Sequence, residues 1–349
     1  MTSFQGKSIA DSSNLIPINN LDEMFKPLTD HHDREFSYLR LSVTEVCNYR
    51  CNYCLPDGYQ CETKNHPLSV DEIKQLMSVL AKKGIKKVRI TGGEPSLRKD
   101  LSDIITVIKN TPGIEQVALT TNGYKLEERI TDWVKAGLDS INVSVDSLDS
   151  EVFKHITGHN RLGQILAGLK KARSLNMTSI KVNAVLLKTY NLNQFDQFLN
   201  WIKHTPISLR FIELMETSDN RAYFHKNHVS GQSIEKRLQD SGWIKKDRGP
   251  LAGPANEYSH PDYQGDMGLI MPYSKDFCTS CNRLRVSASG KLHLCLFGES
   301  GHDLRHLLNK HQHTALSNRV DQCLSKKTAQ HELAKNNTGS TRHLAMLGG

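Results

Sequence analysis

From about Leu39 to Met215 short β-branched runs alternate with amphipathic helical stretches, and this alternation limits the architectures open to the chain. Strands are expected at 39–44, 86–91, 116–120, 139–145, 180–186 and 207–213, with helices near 69–82, 98–110, 124–136, 161–175 and 193–203. The first helix is the best marked. Ser69 and Glu72 are spaced as a capping box, and Val70, Ile73, Leu76, Met77 and Leu80 form one apolar stripe. Strands separated by helices pair in parallel through right-handed crossovers. Six such units fall short of a closed eight-fold barrel, leaving an open six-unit barrel or a doubly wound sheet.

The strand faces narrow that choice. Arg40, Ser42 and Thr44 share one face of the first strand, and Arg89 and Thr91 share one on the second. Asn142, Ser144 and Asp146 do so on the fourth, and Lys181 and Asn183 on the fifth. Parallel strands covered on both sides read as continuous apolar runs, and a barrel lumen is normally packed with Val, Ile and Leu. A polar interior is costly unless a charged ligand fills it. The expected fold is α/β, a partial (β/α)6 barrel whose lumen is a ligand cavity.

The expected organisation is a flexible extension over 1–30, a barrel over 31–220 and a C-terminal region over 221–349. Residues 216–275, punctuated by Gly249-Pro250 and Gly253-Pro254, read as a few strands covering the open side. The tail after about Lys310 is His-rich, polar and of low complexity. With no long apolar run and a mean hydropathy of -0.48, no membrane helix is expected. The N-terminus lacks a hydrophobic signal core, so a cytoplasmic location follows. A formal charge of +8 points to an anionic partner, either nucleic acid or a phosphorylated small molecule.

Two groups of cysteines carry the chemistry. Cys47, Cys51 and Cys54 form C-x3-C-x2-C directly after the first strand. A 4Fe–4S cluster normally takes four thiolates, so three leave one iron open for a ligand. Zinc sites favour paired C-x2-C units and four ligands. The second group, Cys278-x2-Cys281-x13-Cys295, also lacks a nearby fourth cysteine. Here His293 is available to complete a structural zinc site, and a second open cluster is the competing reading. Arg283 and Arg285 alternate on a predicted strand and point the same way, which suits phosphate oxygens. Cys61 and Cys323 have no partner spacing and are read as non-ligands.

The first group, with Tyr53 just before its last cysteine, resembles the radical S-adenosylmethionine (SAM) enzymes. Thr91-Gly92-Gly93-Glu94-Pro95 after the second strand matches that family's glycine motif. The late cysteine group with Arg-x-Arg and the Gly348-Gly349 end extend the likeness to the GTP 3′,8-cyclase family of molybdenum cofactor biosynthesis. The resemblance runs from about Leu21 to Gly349 and includes Leu119-Thr120-Thr-Asn-Gly123 and Arg210-Phe-Ile-Glu-Leu-Met215. It implies a partial barrel closed by a C-terminal cluster-binding region, with two 4Fe–4S clusters and SAM as cofactors. Cys47, Cys51 and Cys54 would hold the SAM cluster, and Tyr53, Gly93, Ser144 and Met215 would contact SAM. Arg40, Arg89, Thr120, Lys181, Arg283, Leu284 and Arg285 would contact GTP, and Cys278, Cys281 and Cys295 would hold the second cluster. Gly348 and Gly349 would thread the barrel mouth as part of the catalytic machinery. One departure is local: the family often shows Gly-Arg before the first strand, where this chain has Asp33-Arg34.

The implied reaction abstracts the ribose 3′ hydrogen of GTP and joins C3′ to guanine C8. Its implied partners are a flavodoxin- or ferredoxin-type electron donor and cyclic pyranopterin monophosphate synthase as the next enzyme. A monomer or homodimer is expected, without nucleic acid or membrane. Two rivals remain. A peptide-modifying radical SAM enzyme would carry a richer C-terminal cysteine block. A zinc-containing RNA-binding protein would want exposed aromatic residues for base stacking, and this chain has 7% aromatics with no basic-aromatic cluster.

Overall fold

A computed structural model describes residues 26–60, 66–298 and 300–347. The barrel strands are β1 (Tyr38–Ser42), β2 (Lys87–Thr91), β3 (Gln116–Thr121), β4 (Ser140–Ser144), β5 (Ser179–Leu186) and β6 (Ser208–Glu213). Between them run α1 (Val70–Lys82), α2 (Leu101–Lys109), α3 (Leu126–Lys135), α4 (Ser150–Thr157), α5 (Leu162–Arg173) and α6 (Phe195–Lys203). After β6 come α7 (Arg221–Asn227), α8 (Gly231–Asp240), β7 (Ile244–Lys245), β8 (Asn256–Ser259) and β9 (Asp266–Ile270). The C-terminal part adds β10 (Arg283–Val286), β11 (Lys291–His293), β12 (His302–Asp303) and α9 (His313–Leu324).

The strands form one sheet in the order β12-β11-β10-β1-β2-β3-β4-β5-β6-β9-β8-β7. The six-unit reading holds, and the C-terminal region extends it on both sides. Strand β10 joins β1 in parallel and β9 joins β6 in parallel, while β7, β8, β11 and β12 pair antiparallel beyond them. The late cysteine region is therefore bonded to β1, the strand that leads into the early cysteine loop.

Alternation along each strand sorts the two faces. Leu39, Leu41, Val88, Ile90, Leu119, Ile141, Val182 and Leu209 are buried in the core with Ile73, Leu76, Leu80, Ile104 and Ile130 of the helices. Full burial of one such side chain contributes about 1.5–3 kcal/mol. The intervening residues face the lumen. At α1 the expected capping box forms: Ser69 Oγ accepts from the Glu72 N–H at 3.1 Å, and Glu72 Oε2 accepts from the Ser69 N–H at 2.8 Å.

Two stretches differ from the sequence expectation. The tail after Lys310 is not a low-complexity end among its described residues. Its helix α9 buries Leu316, Val320, Cys323 and Leu324, while Lys83 donates to Asp321 and Gln75 meets His313 Nε2 at 2.8 Å. The polar residues there are the solvent face of an amphipathic helix. Helix α4 also lies in what reads as a loop; Asp149 caps it by accepting from the N–H groups of Glu151 and Val152. Residues 1–25 of the expected extension lie outside the described residues, whereas Leu28 and Asp30 are buried against the barrel.

Candidate active site

The first cysteine loop leaves β1 at the end of the sheet where the strand termini gather. The Gly-Gly-Glu-Pro turn after β2 is fastened to it by two backbone bonds, Gly93 N–H to Thr44 O and Glu94 N–H to Val46 O, both 2.8 Å. The contact excludes any side chain at Gly93, where a Cβ would lie 2.3 Å from the Val46 carbonyl oxygen. Glu94, fully buried, ties the turn to the end of β3. It accepts from Thr121 Oγ1 at 2.7 Å, the Asn122 N–H at 2.6 Å and the Ser96 N–H at 2.9 Å.

The three thiols of this loop lie in a buried, anionic setting. Burial pushes Cys47 up to about 11, and burial with the field of Cys47 takes Cys54 to about 12. Cys51 is raised well above its ordinary range by burial, then by Asp146, Cys54 and Cys47. Tyr53 donates to Asp146 Oδ2 at 2.9 Å, and Asp146, raised to about 6 by burial, also accepts from the Val185 N–H at 2.8 Å. The thiols act on one another through space, and Asn122 Nδ2 donates to Cys47 Sγ at 4.0 Å. No group of three or more His, Cys, Asp or Glu among the described residues is arranged to hold a single metal ion. That is the requirement of zinc, not of a cluster whose thiolates sit on separate irons. The loop fits a three-thiolate iron–sulfur cluster.

The lumen carries the opposite charge. Eleven Lys or Arg and two Asp or Glu line one cavity that also reaches Met215 and all three late cysteines. Strand register builds its floor: Arg40 lies between Arg285 on β10 and Arg89 on β2. Arg89 Nη1 donates to Thr120 Oγ1 at 3.3 Å, and Asn142 on β4 stands between Thr120 and Lys181. The cations strain one another. Burial and then Arg285 push Arg40 well below its ordinary range, and burial with Arg283 brings Arg285 down to about 10. Burial alone would raise the phenol of Tyr38, yet Arg89, Arg40 and Lys87 outweigh it and bring it to about 7. The Oδ1 atoms of Asn142 and Asn183 are buried there without a hydrogen-bond partner among the described residues. A floor of this kind is complete only with a polyanionic, hydrogen-bonding ligand.

The late cysteines stand at the cavity wall on and beside β10. Burial lifts Cys278, whereas Arg283 and Lys327 overcome burial at Cys281 and lower it. Cys278 feels the fields of Cys295 and Cys281, and burial holds the neighbouring His293 imidazole down at about 4. Arg34 explains the altered Gly-Arg position. Asp33 adopts the left-handed conformation (φ 57) that favours glycine, and Arg34 pairs with Asp30 while donating to the carbonyls of Cys278, Thr328 and Ala329.

The end of the chain joins the two triads. N–H groups of Leu344 and Ala345 reach the Cys54 thiol, and Arg285 Nη1 donates to the Leu347 carbonyl at 3.2 Å. Leu344 and Leu347 pack with Leu296 and Phe297 in a small apolar cluster that Cys54, Met215 and Cys295 border. Gly348 and Gly349 lie outside the described residues, as does Cys61.

Arg40, Arg89, Thr120, Lys181, Arg283, Arg285 and Met215 thus meet in one cavity. The Leu284 side chain is buried on the opposite face, in the core, so only its backbone is on this side. Ser144 ends β4, and Tyr53 and Gly93 belong to the early loop and turn. Tyr38 and Lys87 also line the cavity, and the two-residue alternation that marks Arg40 and Arg89 would have found them. Lys327 and Glu257 line it too, without a sequence signal.

Residues 41–202 match the Radical SAM superfamily, and residues 207–333 match Molybdenum Cofactor Synthesis C. A GTP 3′,8-cyclase of Tolumonas auensis is 53% identical over 328 residues, covering 94% of this chain and 98% of that protein. The chain belongs to the GTP 3′,8-cyclase family of radical SAM enzymes. A second member, from Aeromonas hydrophila subsp. hydrophila, is 53% identical over 329 residues, covering 93% of this chain and 96% of that protein. The structure of Streptococcus suis SuiB bound to S-adenosylmethionine matches with a TM-score of 0.60 at 12% identity, over 84% of this chain and 69% of that one. That likeness is one of fold. SAM and an iron–sulfur cluster are the cofactors of this enzyme superfamily, and no described helix is long and apolar enough to cross a membrane.

Proposed function

We propose that the cationic cavity between the two cysteine triads is the GTP site of this enzyme. The chain cyclises GTP to (8S)-3′,8-cyclo-7,8-dihydroguanosine 5′-triphosphate, the first step of molybdenum cofactor biosynthesis. SAM and the cluster on Cys47, Cys51 and Cys54 supply radical chemistry that removes the ribose 3′ hydrogen.

The protein's own residues bind and orient. Gly93, packed so closely on the Val46 carbonyl that no side chain fits, contacts SAM with Tyr53, Ser144 and Met215. Arg40, Arg89, Thr120 and Lys181 take the triphosphate and ribose, and Arg283 and Arg285 reach GTP from β10. Cys278, Cys281 and Cys295 would hold a second 4Fe–4S cluster at the wall of the same cavity. Gly348 and Gly349, which follow Leu347 in the sequence, belong to the catalytic machinery. Holding C3′ and C8 in register while excluding water is the protein's share of the rate.

The observation that carries this reading is the excess of eleven cations over two acids in a cavity shared with the late cysteines. A low-potential donor of the flavodoxin or ferredoxin type supplies electrons in the cytoplasm, and cyclic pyranopterin monophosphate synthase consumes the product. Anaerobic incubation with GTP, SAM and dithionite tests it, together with a metal count. Cyclised product and about eight irons per chain are expected. A colourless protein containing zinc, or SAM cleavage indifferent to GTP, would overturn it.

A further inference from the structure

A cross-strand row crosses the cavity wall: Asn183 on β5, Arg210 on β6, Gly268 on β9 and Glu257 on β8. A Cβ at Gly268 would lie 2.8 Å from Arg210 Cγ. The glycine therefore leaves the trough through which the Arg210 side chain reaches β8. There the Glu257 carboxylate accepts from Arg210 Nη2, and also from Lys181 Nζ at 3.2 Å. Arg210 is buried, whereas the Glu257 side chain is 29% exposed at the rim. Arg210 Nε remains buried with no hydrogen-bond partner among the described residues, so the guanidinium has a donor unspent.

We propose that Glu257 is an internal counter-anion of the phosphate subsite, which a polyphosphate must displace from Lys181 and Arg210 in order to bind. The proposal rests on reading the cavity as a triphosphate site. Buried Arg210 and half-buried Lys181 meet at one carboxylate and repel each other, and burial with Arg210 already brings Lys181 down to about 8. Glu257 relieves that repulsion in the absence of substrate: against burial, Arg210 and Lys181 hold its carboxyl at about 2, so it is anionic throughout the working range. Displacement is feasible because the acid stands at the rim and can turn to water, while the two cations cannot leave. A ligand with several negative charges recovers the cost of exchange; an uncharged nucleoside gains nothing from it. Glu257 thereby makes the cavity selective for phosphate charge without touching the reacting atoms.

The test is calorimetric titration of inorganic tripolyphosphate into the anaerobically reconstituted full-length protein, comparing wild type with Glu257→Gln at fixed ionic strength. The variant should bind about tenfold more tightly, a coupling of ordinary size for two ligands of one site, with SAM affinity unchanged. Its ligand-free melting temperature should fall and be restored by tripolyphosphate. Glu257→Asp keeps the charge but shortens the reach, and its affinity should fall between the two; this also guards against misfolding of the first variant. Equal or weaker binding by Glu257→Gln overturns the proposal alone, because the acid then stays on its cations beside the anion. No tripolyphosphate binding to wild type or variant overturns the triphosphate reading of the cavity, and the proposal with it.

Discussion

The two cysteine triads occupy opposite electrostatic environments. Around Cys47, Cys51 and Cys54 burial pushes the thiols upward, and the acids Asp146 and Glu94 add to it. The late triad feels cations, Arg283, Lys327 and Arg34; burial still raises Cys278, but Cys281 is lowered despite burial. Adding electrons to a centre is harder beside negative charge and easier beside positive charge. A cluster on the early triad would thus be the more strongly reducing of the two, and one on the late triad would sit more comfortably beside an anion. The chain end touches both, at Cys54 and Arg285.

The largest expected effects separate the triads by function. Replacing Cys47, Cys51 or Cys54 with Ala should abolish SAM cleavage. Replacing Cys278, Cys281 or Cys295 should abolish GTP turnover and lower iron content while the first cluster still assembles. Production of 5′-deoxyadenosine at the wild-type rate in an early-triad variant would break the assignment. Unchanged iron in a late-triad variant would remove the second cluster from the comparison.

Next in size are the arginines on the cavity side of β10. Arg283→Ala and Arg285→Ala should each weaken GTP binding by about 1.5–3 kcal/mol if a charge-assisted bond is lost. SAM affinity should hold. Parallel losses for both ligands would mean that β10 has come away from β1, so the substitution had tested the sheet and not the site.

The β/α frame was legible because four of the six barrel strands show their two faces in the sequence. Arg40 and Arg89 alternate with apolar residues, and α1 carries its cap and stripe together. The second triad's placement was partly legible, since Arg283 and Arg285 on one strand face had to flank it together. Three features were not. Helix α4 spans only Ser150–Thr157, too short for a stripe to stand out from a loop. Helix α9 hides its four buried apolar residues among polar ones. Glu257 depends on a strand pairing from a Gly/Pro-punctuated stretch, and nothing in its neighbours announces a partner seventy-odd residues away in Lys181. The fastening of Glu94 to Thr121 and Asn122 is likewise tertiary, though its glycine neighbours marked the turn.

A smaller effect addresses the charge contrast directly. Asp146→Asn removes a negative charge beside the early triad, and Lys327→Met removes a positive one beside the late triad. In a redox titration followed by electron paramagnetic resonance, the first should make its cluster easier to reduce and the second should make its cluster harder to reduce. Each variant should leave the other centre in place. Shifts of the same sign at both sites would show that burial, not local charge, sets the potentials.

The smallest effect is read from two tyrosines, one in each environment. Tyr53, against Asp146, is raised well above its ordinary range by burial and then by Asp146, Cys51 and Cys54. Tyr38, in the cationic cavity, is lowered to about 7, because Arg89, Arg40 and Lys87 exceed the effect of burial. A pH titration of the ligand-free protein should therefore show one tyrosinate absorbance step near neutrality. That step should vanish in Tyr38→Phe and persist in Tyr53→Phe. Linkage gives the sign for stability: the folded phenol sits below its unfolded value near 10, so its contribution is present above that value and declines as pH falls toward 7. Wild type should thus gain on Tyr38→Phe as pH rises across that window. The gain is bounded, because burial also brings Lys87 down to about 8, and the phenolate loses one supporting charge as that lysine deprotonates. Filling the cavity with tripolyphosphate should push the Tyr38 step upward, since the added anion competes for the same cations. A step that ignores both the anion and the Tyr38 substitution would mean that the cations of the lumen are not acting on this phenol, and the contrast between the two regions would have to rest on the thiols alone.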